Sequence, residues 1–206
     1  MLPERDLHHM DDIAADTIEM AVSMNGQDWC VAWYPPPDPP PGRPHGAAAV
    51  CLADDQVVLV SHDGETWDLP GGRPEPDESL DGTLRREIRE EACATLASSL
   101  LLGFSRGRCV RGAERGLVLV RSLWRAEVHL EVWQPQFEMS HRLLLPASEA
   151  LGRLIGQPRF PDGLRPLYRR LFAEASLPWL AGTHGIPSGR ARSRWRDHRE
   201  RNQGLA

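Results

Sequence analysis

Three glutamates carry the clearest chemical signal in the chain. Glu87, Glu90 and Glu91 stand at i, i+3 and i+4, so on a helix they share one side. Helix is what their surroundings predict. From about Glu78 to Ala92 the residues suit it, and Leu80, Leu84 and Ile88 recur every four positions to face a core. Carboxylates at this spacing repel one another by roughly 0.2–0.5 kcal/mol per pair. Arg86 and Arg89 interleave and offset part of that repulsion. A hard divalent cation offsets more, because Mg²⁺ and Mn²⁺ prefer oxygen ligands. The pattern therefore points to a metal site on one face of a short amphipathic helix.

The wider stretch, Gly71 to Ala94 (GGRPEPDESLDGTLRREIREEACA), adds a Gly-rich turn ahead of the helix. Gly72, five residues, Glu78, seven residues and then Arg86-Glu87-Ile88-Arg89-Glu90-Glu91 resemble the Nudix box, the signature of the Nudix hydrolases. The departure is Cys93, which stands where the family pattern has a glycine that ends the helix; a left-handed conformation costs Gly little and Cys more. Upstream, Trp67-Asp68-Leu69-Pro70-Gly71-Gly72 is also similar to the family. The resemblance implies an α/β/α sandwich around a mixed β-sheet. It implies hydrolysis of a diphosphate in a nucleoside diphosphate joined to another group, with Mg²⁺ as cofactor and Mn²⁺ as a substitute.

In that chemistry the cation neutralises the phosphate oxygens and acidifies a water, and a carboxylate takes the water's proton. By resemblance Glu87, Glu90 and Glu91 are the metal ligands, Glu78 is a supporting ligand or a group that holds the ligands from behind, and Arg86 holds the carboxylates in place. Glu90 is the candidate general base within the box. Glu138 is the candidate for a further carboxylate from outside it, with Glu127 and Glu131 as rivals. Gly71 and Gly72 form the tight turn at the substrate. Trp67 either stacks on a nucleobase or packs into the core, and Arg106 heads a loop (106–116) whose arginines could meet extra phosphates. The histidines at 45, 62 and 141 have no ligand spacing and read as ordinary loop or surface residues.

The elements that must position these groups are partly visible. An apolar fraction of 41% supports a core, and a net charge of −5 is unremarkable; all 24 basic residues are Arg. Cysteines 30, 51, 93 and 109 form no CxxC pair and no zinc spacing, which suits reduced thiols. With no apolar run of membrane-spanning length, the expectation is a soluble, cytoplasmic protein.

Asp11 to Met24 reads as a short helix through Ile13, Ile18 and Val22, and Asp28 to Tyr34 as a strand with Trp29, Val31 and Trp33 on one side. Seven prolines between Pro35 and Pro44 make a stiff linker. Ala47 to Leu52 and Val57 to Ser61 read as a hairpin, 117–132 as one bent strand or two, and Arg142 to Pro146 as a strand. Ser148 caps a helix to Ile155, and Gly163 to Ala175 forms another. The division is 1–44 as an N-terminal extension with its Pro-rich linker, 45–157 as the hydrolase domain, and 158–206 as a C-terminal helix with an Arg-rich tail.

A second functional reading is a nucleotide-sensing module with little hydrolysis that contacts nucleic acid through the Arg-rich tail. Nucleic acid is the minor partner in this reading and a small nucleotide the major one. A homodimer contact through the Pro-rich segment and N-terminal strand is a further reading.

Overall fold

The structure, a computed structural model, describes residues 19–176. The reading of residues 11–18 as helix and the Arg-rich tail both lie outside the described residues. Eight strands form one mixed sheet. They are β1 (Glu19–Met24), β2 (Gln27–Tyr34), β3 (Arg43–Ala53), β4 (Gln56–Ser61), β5 (Gly71–Gly72), β6 (Ala94–Arg111), β7 (Val118–Leu130) and β8 (His141–Pro146). Helix α1 (Leu80–Ala92) lies on one face; α2 (Ala147–Ile155) and α3 (Arg165–Ser176) lie on the other, giving the expected α/β/α sandwich. The strand order is β1-β2-β6-β7-β3-β4-β8, with β3 and β7 parallel and the other pairs antiparallel. Among the described residues no helix is long and apolar enough to cross a membrane.

β3 shares one edge between two partners, and this creates the site. Cys51 to Ala53 pair with β4, while Ala47 and Ala48 pair with Gly72 and Gly71 of β5. The chain between β4 and β5 loops outward and returns the tandem glycines to the sheet beside α1. Alanines at 47 and 49 let α1 approach closely, and its Leu84 and Ile88 are fully buried on that face against Val58, Val60 and Phe104. Burial of each such side chain stabilises by roughly 1.5–3 kcal/mol.

Ser79 caps α1 by accepting a hydrogen bond from the Gly82 N–H at 3.0 Å, so the helix starts at Leu80 rather than Glu78. It ends at Cys93, whose φ of 45° and ψ of 58° are left-handed. That conformation costs an L-residue roughly 1–2 kcal/mol that glycine avoids. Cys93→Gly is therefore expected to raise stability by about 1 kcal/mol, read as a higher Tm, with activity equal or better.

Three expectations are corrected. Residues 19–24 form a strand rather than the end of a helix: Met20 and Val22 alternate inward and pair with Val31 and Trp29 across an Asn25-Gly26 turn in which both residues have positive φ. Arg106 to Arg111 belong to β6 instead of a loop, because β2 pairs along them and β7 pairs with 106–108 from the other side; only 112–117 turn. Of the two readings of 117–132, the single strand is the one formed, as β7. Finally, α2 has Pro146 at its N-cap with no side-chain cap bond, so Ser148 lies inside its first turn.

The Pro-rich segment joins two strands of one sheet. Trp29, Val31 and Trp33 share a core with Leu167, Leu171 and Phe172 of α3, and Arg170 lies 5.0 Å over the Trp33 ring.

Candidate active site

Arg86 is the hub of the carboxylates. Its Nε and Nη2 donate to the two oxygens of Glu78 at 3.0 and 3.1 Å. Nη1 lies 3.0 Å from Glu87 and donates to Glu90 at 3.2 Å. Nη2 also donates to the Arg73 carbonyl at 2.8 Å, tying the helix to the turn. Charge-assisted bonds of this kind fix several side chains at once. Glu78 is held further by the Thr83 hydroxyl and the Glu75 N–H, both at 2.9 Å. Burial is the largest influence on its pKa and pushes it up, yet these donors together outweigh it and hold the carboxyl below its ordinary value.

Glu87 and Glu91 are buried on the inner side of the helix and face β5. A Cβ placed on Gly72 would lie under 3.0 Å from both oxygens and the carboxyl carbon of Glu87. The box glycine is thus required by space, since the Glu87 carboxylate occupies the place of a side chain. The carboxylate of Glu91 accepts from the Gly71 N–H at 2.8 Å and makes no ion pair within 4.0 Å among the described residues. Its pKa is pushed up to about 8, first by burial and then by the charges of Glu87, Glu138 and Asp68. Burial also raises Glu87, against Arg86.

Of the residues singled out by sequence, the structure gathers Glu78, Arg86, Glu87, Glu90, Glu91, Gly71 and Gly72. Glu138 joins them: it is exposed, and its charge acts on both Glu87 and Glu91. Its carbonyl lies 2.6 Å from His62 Nδ1. Glu127 pairs instead with Arg125 at 2.8 Å, and Glu131 accepts from the Thr95 hydroxyl. Arg106 points its Nε at the Pro41 carbonyl, 3.0 Å away, and bonds none of the box residues. Trp67 is half-buried against the α2–α3 core, and its backbone N–H donates to Gln157 Oε1 at 2.6 Å.

Sequence reading missed Asp68, Tyr168 and Arg121, which meet beside the tandem glycines. The Tyr168 hydroxyl is directed at Asp68, and Arg121 lies within electrostatic reach of both. No local pattern joins residues from a turn, a helix and a strand. His45 is another miss: it sits half-buried in β3 rather than in a loop.

The donor set fits a divalent cation. Three carboxylates, Glu78, Glu87 and Glu90, share the cation of Arg86, with Arg89 reaching Glu90 at 3.4 Å and Glu91 beside them without a cationic partner among the described residues. All are hard oxygen donors. Among the described residues no three acidic, imidazole or thiol side chains form a closed ligand set, and Arg86 stands between Glu78, Glu87 and Glu90.

Glu91 makes the charge excess testable. Its folded pKa lies above the ordinary 4.5, so between about 4.5 and about 8 the folded state holds a proton that the unfolded state has lost. Metal-free stability is therefore expected to fall as pH rises through that window, with a limiting slope of about 1.4 kcal/mol per pH unit. Saturating Mg²⁺ should flatten the fall, because the ion replaces the proton. Thermal unfolding across this range, with Mg²⁺ and with chelator, checks both statements.

The structure is a sandwich of helices on a mixed sheet, with a carboxylate-bearing helix packed on tandem glycines. Residues 43–157 match the NUDIX domain family, and the chain belongs to the Nudix family of hydrolases. Over 60 residues it is 40% identical to the putative 8-oxo-dGTP diphosphatase of Bacillus subtilis; the match spans 28% of this chain and 40% of that relative's length. The fold is similar to that of the Bacillus subtilis pyrophosphohydrolase BsRppH, at a TM-score of 0.55 and 24% identity, covering 72% of this chain and 92% of that one. A NUDIX hydrolase from Nitrosomonas europaea is similar at a TM-score of 0.50 and 18% identity, covering 69% and 100%.

Proposed function

We propose that the protein is a Mg²⁺-dependent hydrolase, with Mn²⁺ able to substitute, that cleaves a diphosphate linkage in a nucleoside diphosphate joined to another group. The observation that carries this reading is the buried Glu91 carboxylate beside Glu87 and Gly71-Gly72, without an ion pair among the described residues. Glu87, Glu90 and Glu91 would hold the cation, with Glu78 in support. When bound, the ion supplies charge neutralisation for the phosphate oxygens and acidifies water.

The remaining work falls to the chain. Gly72 leaves room for the Glu87 carboxylate, and the Gly71 N–H fixes Glu91. Arg86 spaces Glu78, Glu87 and Glu90 and ties them to the Arg73 carbonyl. Glu90 accepts the proton of the attacking water as the water oxygen bonds to phosphorus and the bridging oxygen leaves; Glu138 is the rival for this role. The B. subtilis relative's name supports a nucleotide substrate.

The test is phosphate release, with coupled pyrophosphatase, from nucleoside triphosphates, sugar nucleotides, dinucleoside polyphosphates and ADP-ribose in Mg²⁺. Turnover of at least one compound that chelator abolishes is the expected result. Silence across the panel, with metal-dependent binding of one nucleotide, would replace the hydrolase by a sensor.

A further inference from the structure

Residues 131–140 carry Glu138 and hold no helix or strand. Of these only Trp133 and Met139 are partly buried, so the segment has little packing of its own. It is fastened at its two ends. At the far end, the Ser140 N–H donates to the Ser61 carbonyl at 3.0 Å and the Ser140 hydroxyl to that of His62. His62 Nδ1 in turn lies 2.6 Å from the Glu138 carbonyl, and Met139 packs against the core that includes Ile88 and Ala92 of α1. At the near end, the Glu131 N–H donates to the Cys93 carbonyl at 2.9 Å.

Arg142 joins the near end to the helix. It lies in β8 opposite Val60, just past the segment, and its side chain reaches back to the segment's start. Nη1 donates to the carbonyls of Ala92 at 2.8 Å and Cys93 at 3.0 Å, and both Nη atoms donate to the Glu131 carbonyl, at 3.3 and 3.2 Å. The guanidinium also lies 5.0 Å over the Trp133 ring, a cation–π contact. A cation at the last carbonyls of a helix is favoured by the helix dipole and satisfies acceptors that lack an intrahelical donor. The flat guanidinium fork meets several carbonyls and a ring face at once, which an ammonium does not. Ala92 directly follows Glu91. One side chain thus fixes the helix end, the segment's start and its half-buried ring.

We propose that Arg142 is a positioning residue, which clasps residues 131–140 to the C-terminal end of α1 and so holds Glu138 at the carboxylates. The assignment rests on the hydrolase reading above, in which Glu138 serves turnover as base or as a further carboxylate. The charge of Glu138 on Glu87 and Glu91 agrees with this placement. Without the clasp, the near end keeps the Glu131 N–H bond and the Thr95 hydroxyl on the Glu131 carboxylate, while Trp133 loses its cationic partner. Glu138 then samples positions away from the site, and misplacement of a reacting group is costly to the rate.

The test combines kinetics with amide hydrogen exchange of the full chain, read by nuclear magnetic resonance. Arg142→Gln is expected to lower kcat about ten-fold with KM within about two-fold, and Arg142→Lys to recover part of the loss. In a Glu138→Gln background the same substitution should change kcat less than about two-fold, because the group it positions is gone. Exchange of the Glu131 amide, bonded to Cys93, should quicken about ten-fold in Arg142→Gln, while 80–88 of α1 exchanges as in the wild type. A full kcat loss in the Glu138→Gln background, or unchanged exchange at Glu131, would overturn the clasp and leave Arg142 a helix cap alone. Should Arg142→Gln fail to fold, Trp133→Ala keeps the carbonyl bonds and removes the ring; about three-fold faster exchange at Glu131 is expected, and no change overturns the proposal. If no compound is turned over, the hydrolase reading falls and exchange alone decides the clasp. Turnover with a kcat indifferent to Arg142 would remove the clasp and keep the hydrolase.

Discussion

Glu90→Gln is expected to lower kcat by about 10²–10⁴-fold while leaving the fold intact. Glutamine keeps the size of the side chain and removes both its charge and its ability to take a proton. Glu90 is partly exposed and, among the described residues, held only by Arg86 at 3.2 Å and Arg89 at 3.4 Å, so little packing is lost. Surface changes of this type usually move stability by about 0.5 kcal/mol or less. The variant should thus unfold at nearly the wild-type temperature and still turn over slowly. Glu138→Gln separates the two candidate bases: if Glu138 is the base, the larger loss belongs to it and Glu90→Gln acts mainly through the metal. Near-normal turnover in Glu90→Gln would remove it from the mechanism.

Gly72→Ala should be as damaging by a different route. The added methyl group enters the space of the Glu87 carboxylate, with three atoms of that group under 3.0 Å away. Either Glu87 swings off Arg86 and out of the ligand set, or β5 lifts from β3. Overpacking of this kind costs about 1–3 kcal/mol. Activity should fall by about 100-fold or more, because small misplacements at a reacting centre have effects of that order. Gly152→Ala is the control. Gly152 lies within α2, where an added Cβ meets nothing within 4 Å, so alanine there should stabilise by roughly 0.8–1 kcal/mol. Retained activity in Gly72→Ala would mean that the glycine serves the turn alone.

The parts of the molecule that sequence disclosed are those fixed by local spacing. The i, i+3, i+4 carboxylates, the Leu84–Ile88 stripe and the alternation of Trp29, Val31 and Trp33 all reached the structure with the expected sides buried. Where two periods fit equally, the reading went astray. Ile18 and Val22 are four apart, which suits a helix, but the Asn25-Gly26 pair is a hairpin signal that decides for a strand. The arginines and glycines of 106–111 look like a loop in isolation. Pairing with β2 along them and with β7 at 106–108 makes them a strand, with Cys109 buried between exposed arginines.

Other features arise only from long-range register. The clasp of Arg142 on the carbonyls of Ala92, Cys93 and Glu131 is assembled by a helix end and strands that are adjacent in space and far apart in sequence. The Asp68–Tyr168 contact needs α3, which lies beyond the matched domain. Even within the box, spacing placed the three glutamates on one side of the helix but did not disclose that Gly72 is kept small by the carboxylate of Glu87.

The claim on which the rest depends is that the carboxylates of α1 hold a divalent cation. Electron paramagnetic resonance of free Mn²⁺, titrated into the full chain, tests it without requiring a substrate. Wild-type protein should remove the free-ion signal, and Mg²⁺ should compete it back. Glu87→Gln/Glu91→Gln should weaken binding by at least about ten-fold, more than the loss of a merely supporting group. Mn²⁺ binding of equal strength in wild type and variant, or none in either, would contradict the assignment of these glutamates as the metal site.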